Sequence, residues 1–115
     1  MADPAQLRAA VCRAILDGRG RTTAAERRRA FDGDGDGVGG GPAVASYLAK
    51  VRDHAYRVTD DDVAGLRAAG LDDDRIFELS VATAVGQATR QYDAALAALD
   101  AALAAGAAGA RSGGR

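Results

Sequence analysis

The sequence predicts a small all-α protein, and two observations lead to that fold class. Apolar residues recur at three- and four-residue spacings over most of the chain, as on one face of a helix, and no segment shows the apolar–polar alternation of a half-buried strand. Alanine, the strongest helix former, supplies 29 of the 115 residues. We therefore expect a single domain, a bundle of about five helices with a long helix at the C-terminal end.

Two helices are predicted within residues 1–31. Asp3 before a proline is typical of a helix N-terminus, and apolar residues recur every four positions through residues 4–17. Thr23 and Glu26 have the spacing of a capping box, which predicts a short second helix. This second helix contains three consecutive arginines, which we expect to form a solvated face: Arg27, Arg28 and Arg29.

Residues 32–42 are rich in glycine and aspartate and are predicted to be a flexible linker, since glycine loses the most conformational freedom on folding. The run from Asp32 to Gly37 copies the first half of an EF-hand loop, with acidic residues at loop positions 1, 3 and 5 and glycine at position 6. Position 12 requires a bidentate glutamate and is Ala43 instead. We therefore expect an acidic linker and no metal site.

The helical core is predicted to span residues 43–105. Three- and four-residue spacing indicates a third helix from Pro42 to about His54, and Thr59 is positioned to cap a fourth that ends at Gly70. Three aspartates then precede the longest helix, where the helix dipole favours negative charge. Residues 106–115 are predicted to be a disordered tail.

The longest helix carries one continuous apolar stripe, which implies a partner of similar length: the third and fourth helices, or another subunit. Gly86 interrupts this helix, which indicates a close approach of another helix or a bend. The eight residues of the stripe are Phe77, Val81, Val85, Ala88, Tyr92, Leu96, Leu99 and Leu103.

Composition restricts the classes of partner. Alanine outnumbers the 25 large apolar residues, so the core of a monomer is thin and a homo-oligomer is expected. The net charge of −1 argues against nucleic acid. The N-terminus lacks the pattern of a signal peptide, and Ala94–Ala110 is mostly alanine and contains Asp100, so we expect no membrane span and a cytoplasmic protein.

The C-terminal half resembles small members of the AhpD-like, or carboxymuconolactone decarboxylase, family. The residues that carry the resemblance are a helix ending in Ala68-Ala69-Gly70, the acidic cap after it, and the helix start Ile76-Phe77-Glu78-Leu79, within Tyr47–Leu103. The resemblance implies an all-helical fold that forms homo-oligomers, and in some members peroxide reduction or disulfide exchange.

The redox members of that family use a Cys-x-x-Cys followed by histidine. Counted back from Gly70, those positions fall on Ala55, Val58 and Asp62. Since Cys12 is the one cysteine in the chain, paired-thiol chemistry is excluded whatever the register. Other members decarboxylate or isomerise a lactone without a thiol pair, so the resemblance leaves an enzyme open.

Three polar residues are the candidates for a site: His54, Tyr56 and Glu78. Glu78 either faces the helix junction, where burial raises the pKa of a carboxyl, or serves the helix dipole as a first-turn acid. Cys12 is expected to be a buried structural thiol, because a nucleophile needs a nearby base and the one histidine lies across the linker. We expect no cofactor.

Three functional hypotheses follow. The first is a homo-oligomeric structural or small-molecule-binding unit without the thiol pair. The second is an enzyme that uses the three candidate residues for proton transfer on a small carboxylic or lactone substrate. The third is a module that binds a partner through the stripe, which requires that the isolated chain expose Tyr92, Leu96 and Leu99.

Overall fold

The computed structural model describes the backbone of residues 3–113 and the side chains of residues 3–110, and over that range the protein is all-helical with no strand. A 3-10 turn at Ala55–Arg57 follows the fourth helix. The six helices are α1 (Pro4–Asp17), α2 (Ala24–Phe31), α3 (Gly35–Val38), α4 (Pro42–His54), α5 (Asp60–Ala68) and α6 (Asp73–Gly113).

The predicted caps are confirmed, and they explain where the helices begin. The hydroxyl of Thr23 accepts a hydrogen bond from the backbone of Glu26, whose carboxylate accepts one from Thr23 N–H at 2.9 Å. Thr59 and Asp62 form the same reciprocal pair at the start of α5. Gly70 adopts a φ of +100°, the left-handed conformation expected just after a helix.

The segment 32–42 is not wholly a linker, because it contains the single-turn helix α3. The Asp34 carboxylate caps this turn by accepting a hydrogen bond from Gly37 N–H at 3.0 Å. Val38, at its end, is buried in the core, which offsets the entropy lost by the neighbouring glycines. The prediction of a flexible linker was therefore wrong at α3.

One hydrophobic core runs through the protein and includes residues on both sides of segment 32–42. The N-terminal helices and the predicted core 43–105 therefore pack together, with α2 lying against α6. The buried members are Ala30, Val38, Val44, Leu48, Leu66, Ile76, Leu79 and Ala82.

The face of α6 that enters the core differs from the predicted stripe by about one residue of rotation. The buried positions follow the spacing of Ile76, Leu79 and Thr83, whereas Phe77, the first stripe residue, is 68% exposed. Gly86 is also buried, and a Cβ there would overlap the backbone carbonyl of Phe31 at the end of α2. The predicted close approach at Gly86 is confirmed, and it sets which face packs.

α6 has two halves with different surroundings. In the inner half, residues 73–90, one face is buried; in the outer half, from residue 91, every described side chain as far as Ala110 is exposed. The helix continues to Gly113, in place of the disordered tail predicted from residue 106; positions 114 and 115 of that prediction lie outside the described residues. The protein is accordingly elongated, 69 Å in its longest dimension.

Candidate functional site

Glu78 lies in the second turn of α6, and its carboxylate binds the loop between α1 and α2. Oε2 accepts a hydrogen bond from Arg21 N–H at 2.9 Å. Oε1 accepts hydrogen bonds from Thr22 N–H at 3.2 Å and from the Thr22 hydroxyl at 2.9 Å. A Cβ at Gly20 would overlap this carboxylate, so glycine there allows the loop to reach it. Glu78 therefore anchors the α1–α2 loop to α6.

The ionisation of Glu78 follows from these contacts. Burial by itself raises the pKa of the carboxyl, but the hydrogen bonds from Arg21 and Thr22 and the positive charge of Arg27 bring the pKa below its ordinary value of 4.5. Of the two alternatives for Glu78, the one with a raised pKa at the helix junction is therefore contradicted. A carboxylate that is ionised and occupied by donors is a poor acid or base at neutral pH.

Arg27 is buried, so the prediction that the three arginines form a solvated face was wrong for this residue. Its guanidinium lies 3.5 Å from the Glu78 carboxylate and donates to the carbonyl oxygens of Thr22, Leu16 and Gly18. It thus joins the end of α1 and the following loop to α6. Its Nε has no hydrogen-bond partner within the described chain.

His54 and Tyr56 lie at the surface and form an edge-to-face pair with ring centroids 6.0 Å apart. Tyr56 is 78% exposed. Glu78 borders a groove of about 140 Å³ between α1 and α6, and neither ring lines that groove. The structure therefore does not bring the three predicted site residues together in one pocket.

Cys12 is half-buried on α1, and its thiol lies 3.8 Å from the hydroxyl of Thr89 on α6. His54 is not its hydrogen-bonding neighbour. A structural thiol that packs between the two helices is the interpretation that these contacts support.

The acidic residues of segment 32–42 serve local structure. Asp34 caps α3 and lies 3.4 Å from Arg29. Among the described residues, no group of three or more His, Cys, Asp or Glu side chains is arranged to hold a metal ion.

An uncovered apolar surface runs along α1 and α6, and we call it the apolar face. A groove of about 140 Å³ lies at its inner end, lined by Ile15, Phe77 and Val81 among others. Farther along, α1 lies beside α6 through the ion pair of Arg8 with Asp93 at 2.6 Å. The exposed large side chains of the apolar face are Leu7 and Val11 on α1 and Phe77, Tyr92, Leu96, Leu99 and Leu103 on α6.

A second cavity, of about 270 Å³, lies between α3, α4 and α6. Thr83 lies in its lining, 1% exposed, and the Thr83 hydroxyl has no hydrogen-bond partner within the described chain. Arg52 also lines it and donates to the Gly33 carbonyl at 2.7 Å. Sequence reasoning missed this cavity, since its walls come from segments far apart in the chain.

One described helix, Asp73–Ala110, is long and apolar enough to cross a membrane, by length and composition alone, and its most apolar stretch is not buried. No family model, curated protein or solved structure matches the chain. The resemblance to AhpD-like proteins therefore stays a prediction from the quoted residues.

Proposed function

We propose that this protein is a helical docking module that binds a protein partner through the apolar face. The observation that carries the proposal is the exposure of large side chains at helical spacing along the outer half of α6, including Leu99 at 54% and Leu103 at 63%. A mostly alanine helix that packs against nothing is marginally stable in water, so a partner that covers the stripe also stabilises the helix.

A protein partner suits this helix better than a lipid bilayer. Each leucine at the centre of a membrane helix contributes only about −0.3 to −0.6 kcal/mol, whereas a central aspartate costs about 2.5 to 3.5 kcal/mol. The outer half has three leucines, and Asp100 lies between two of them. In a membrane, the insertion cost of Asp100 therefore exceeds the gain from the three leucines. At a protein interface, Asp100 lies at the edge of the stripe.

The polar geometry supports binding over catalysis. Glu78 is committed to the α1–α2 loop, and His54 and Tyr56 lie apart from it at the surface. An AhpD-like enzyme that acts without thiols, and the cytoplasmic location, stay predictions from the sequence.

Photo-crosslinking in the cells that make the protein tests the docking function. We expect benzoylphenylalanine in place of Leu99 to give a discrete adduct, and the same residue in place of Ala101 to give none. Ala101 lies on the opposite side of the helix and is the matched control. The adduct at position 99 should disappear with Leu96→Asp. Equal adducts at both positions, or none at either, would contradict the proposal.

Small-molecule binding is the second candidate. The 270 Å³ cavity favours it, because Thr83 lines the cavity and its hydroxyl has no partner within the described chain. A buried hydroxyl without a partner is unfavourable, and a polar ligand would satisfy it. Native mass spectrometry of the purified chain should then show a bound small molecule that is lost with Thr83→Val. A wild-type spectrum of bare protein, together with a Thr83→Val variant of raised Tm, would show that the cavity serves no ligand.

A further inference from the structure

We infer that the partner on the apolar face is a second copy of this chain, with the two α6 helices antiparallel. The inference rests on the docking function proposed above. It follows from the spacing of the exposed side chains, from the charges beside them and from the length of helix left uncovered.

The spacing of the stripe is the same read in either direction. Tyr92, Leu96, Leu99 and Leu103 are separated by four, three and four residues. A twofold axis between residues 97 and 98 therefore places Leu96 opposite Leu99 of the second copy and Tyr92 opposite Leu103. Each of these four large side chains meets another large one, which is the self-complementarity that a twofold interface requires.

The edge of the stripe carries two carboxylates, and one of them has a cation in its own chain. Asp93 and Asp100 are seven residues apart, so they lie on one edge of α6, and the antiparallel arrangement brings this edge against the same edge of the second copy. Asp93 is already neutralised by Arg8 at 2.6 Å. Within the described chain Asp100 has no ion pair.

The symmetry brings Asp100 of the second copy to the first turns of α1. Arg8 contacts Asp93 and Cys12 contacts Thr89, so α1 runs antiparallel to α6 and its N-terminus lies near residue 96. Asp100 of the second copy thus gains both the Arg8 guanidinium and the positive end of the α1 dipole. The second copy supplies the cation that this carboxylate lacks within its own chain.

The length of α6 fits the pairing. With the axis between residues 97 and 98, Gly113 of one copy reaches the level of Ala82 of the other, an overlap of about 48 Å at 1.5 Å per residue. A helix face about 10 Å wide then covers about 500 Å² on each copy, or about 1,000 Å² in total, the least that a specific interface needs. Leu7 and Val11 on α1 add to this area.

The oligomeric state of the full chain is the first test. Light scattering after size exclusion should show a dimer at micromolar concentration. Leu99→Asp should raise the dimer Kd at least about thirtyfold, because it buries an unpaired charge. Ala101→Asp introduces the same charge on the opposite face and should leave the Kd unchanged. A wild-type monomer at tens of micromolar, or equal effects of the two variants, would overturn the inference.

Disulfide trapping tests the direction of the helices. In a Cys12→Ser background, chains with Tyr92→Cys and chains with Leu103→Cys should cross-link when mixed and not when separate. The two positions are about 16 Å apart along the helix, so neither can reach its own symmetry copy within the span of a disulfide. Cross-links within each separate variant, with no disulfide between position 92 and position 103 in the mixture, would show a parallel pair and overturn the inference.

A charge exchange tests the contact at the edge. Arg8→Glu and Asp100→Arg should each weaken the dimer, and the double variant should restore it. Arg8→Glu also breaks the ion pair with Asp93 within the chain, so rescue by Asp100→Arg separates an interface contact from a fold defect. Failure of the rescue would contradict the assigned register.

The outcomes separate this inference from the docking function. An adduct at position 99 with a mass other than twice the 11.7 kDa chain, together with a monomeric pure protein, would overturn the second copy and keep the docking function. Sedimentation of the wild type with phosphatidylcholine–phosphatidylglycerol vesicles, abolished by Leu99→Asp, would overturn both in favour of a membrane surface.

Discussion

The inner and outer halves of α6 share one uninterrupted helix and the same apolar periodicity, yet their surroundings differ completely. In the inner half Leu79 is 3% exposed, whereas in the outer half Leu99 is 54% exposed. The inner half meets α2 and α4, whereas the outer half meets the first turns of α1 near Asp93 and then extends beyond them. Periodicity therefore specifies which residues share a face, and the neighbouring elements decide whether that face is buried.

The largest expected loss of stability comes from replacing Arg27, the buried cation that joins α1 and α2 to the inner half of α6. Arg27→Met removes the cation beside Glu78 and the donor to the carbonyl oxygens of Thr22, Leu16 and Gly18. We expect a loss of about 3–5 kcal/mol in the free energy of unfolding. Arg28→Met, at the exposed neighbouring position, should change it by less than about 0.5 kcal/mol. Urea denaturation followed by circular dichroism measures both, and similar losses would show that Arg27 is not an anchor.

Alanine substitution of one leucine in each half of α6 compares the contributions of the two halves to stability. Leu79→Ala should cost about 2–5 kcal/mol, since it removes a buried side chain and leaves a cavity. Leu99→Ala should leave the stability of the monomer within about 0.5 kcal/mol. The measurement is denaturation at protein concentrations below the dimer Kd. A large loss from Leu99→Ala in the monomer would mean that the outer half packs on its own chain.

Alanine substitution at two glycines of α6 should change stability in opposite directions. Gly86→Ala forces a Cβ against the Phe31 carbonyl and should destabilise by about 1–3 kcal/mol, because backbone must move. Gly106 has open space around it, so Gly106→Ala should favour the helix by about 0.5–1 kcal/mol locally. Thermal melts report the first and helicity in the far ultraviolet reports the second. An unchanged Tm in Gly86→Ala would refute the close approach.

The smallest effect is a dependence of stability on pH. Because the pKa of Glu78 is lower in the folded protein than its ordinary 4.5, ionised Glu78 stabilises the fold above about pH 5, and this contribution is lost as the pH falls through the folded value. Denaturation of the wild type and of Glu78→Gln between pH 3 and 7 should therefore converge at the acidic end. A gap that widens on acidification would mean that the pKa is raised instead.

The sequence predicts the starts of the helices well, because N-terminal caps are local. Thr23 with Glu26 and Thr59 with Asp62 satisfy each other within four residues, so their spacing is sufficient information. Gly86 likewise signals a close approach, although it cannot say that Phe31 is the neighbour. The short helix α3 was missed because Val38 is buried by packing of α3 against α2 and α4, which the local sequence does not report.

The candidate site was harder to predict, because its partners are distant in sequence. Glu78 binds Arg21 and Thr22, more than fifty residues earlier, and no local pattern reports that contact. Arg27 lies 51 residues before its acidic partner Glu78, and the local sequence does not distinguish it from its exposed neighbours Arg28 and Arg29. The outer stripe was visible from its spacing, and only the fold shows that its own chain leaves it uncovered.

The unbroken course of α6 also fixes how far apart the two globular bodies lie in the proposed pair. Each body surrounds an inner half, and the overlap holds them about 45 Å apart at opposite ends of a rigid two-helix rod. Any surface on the body, such as the mouth of the cavity that contains Thr83, is thereby presented twice at a set spacing. A target with two matching sites at that distance would be held with an avidity greater than either contact alone provides.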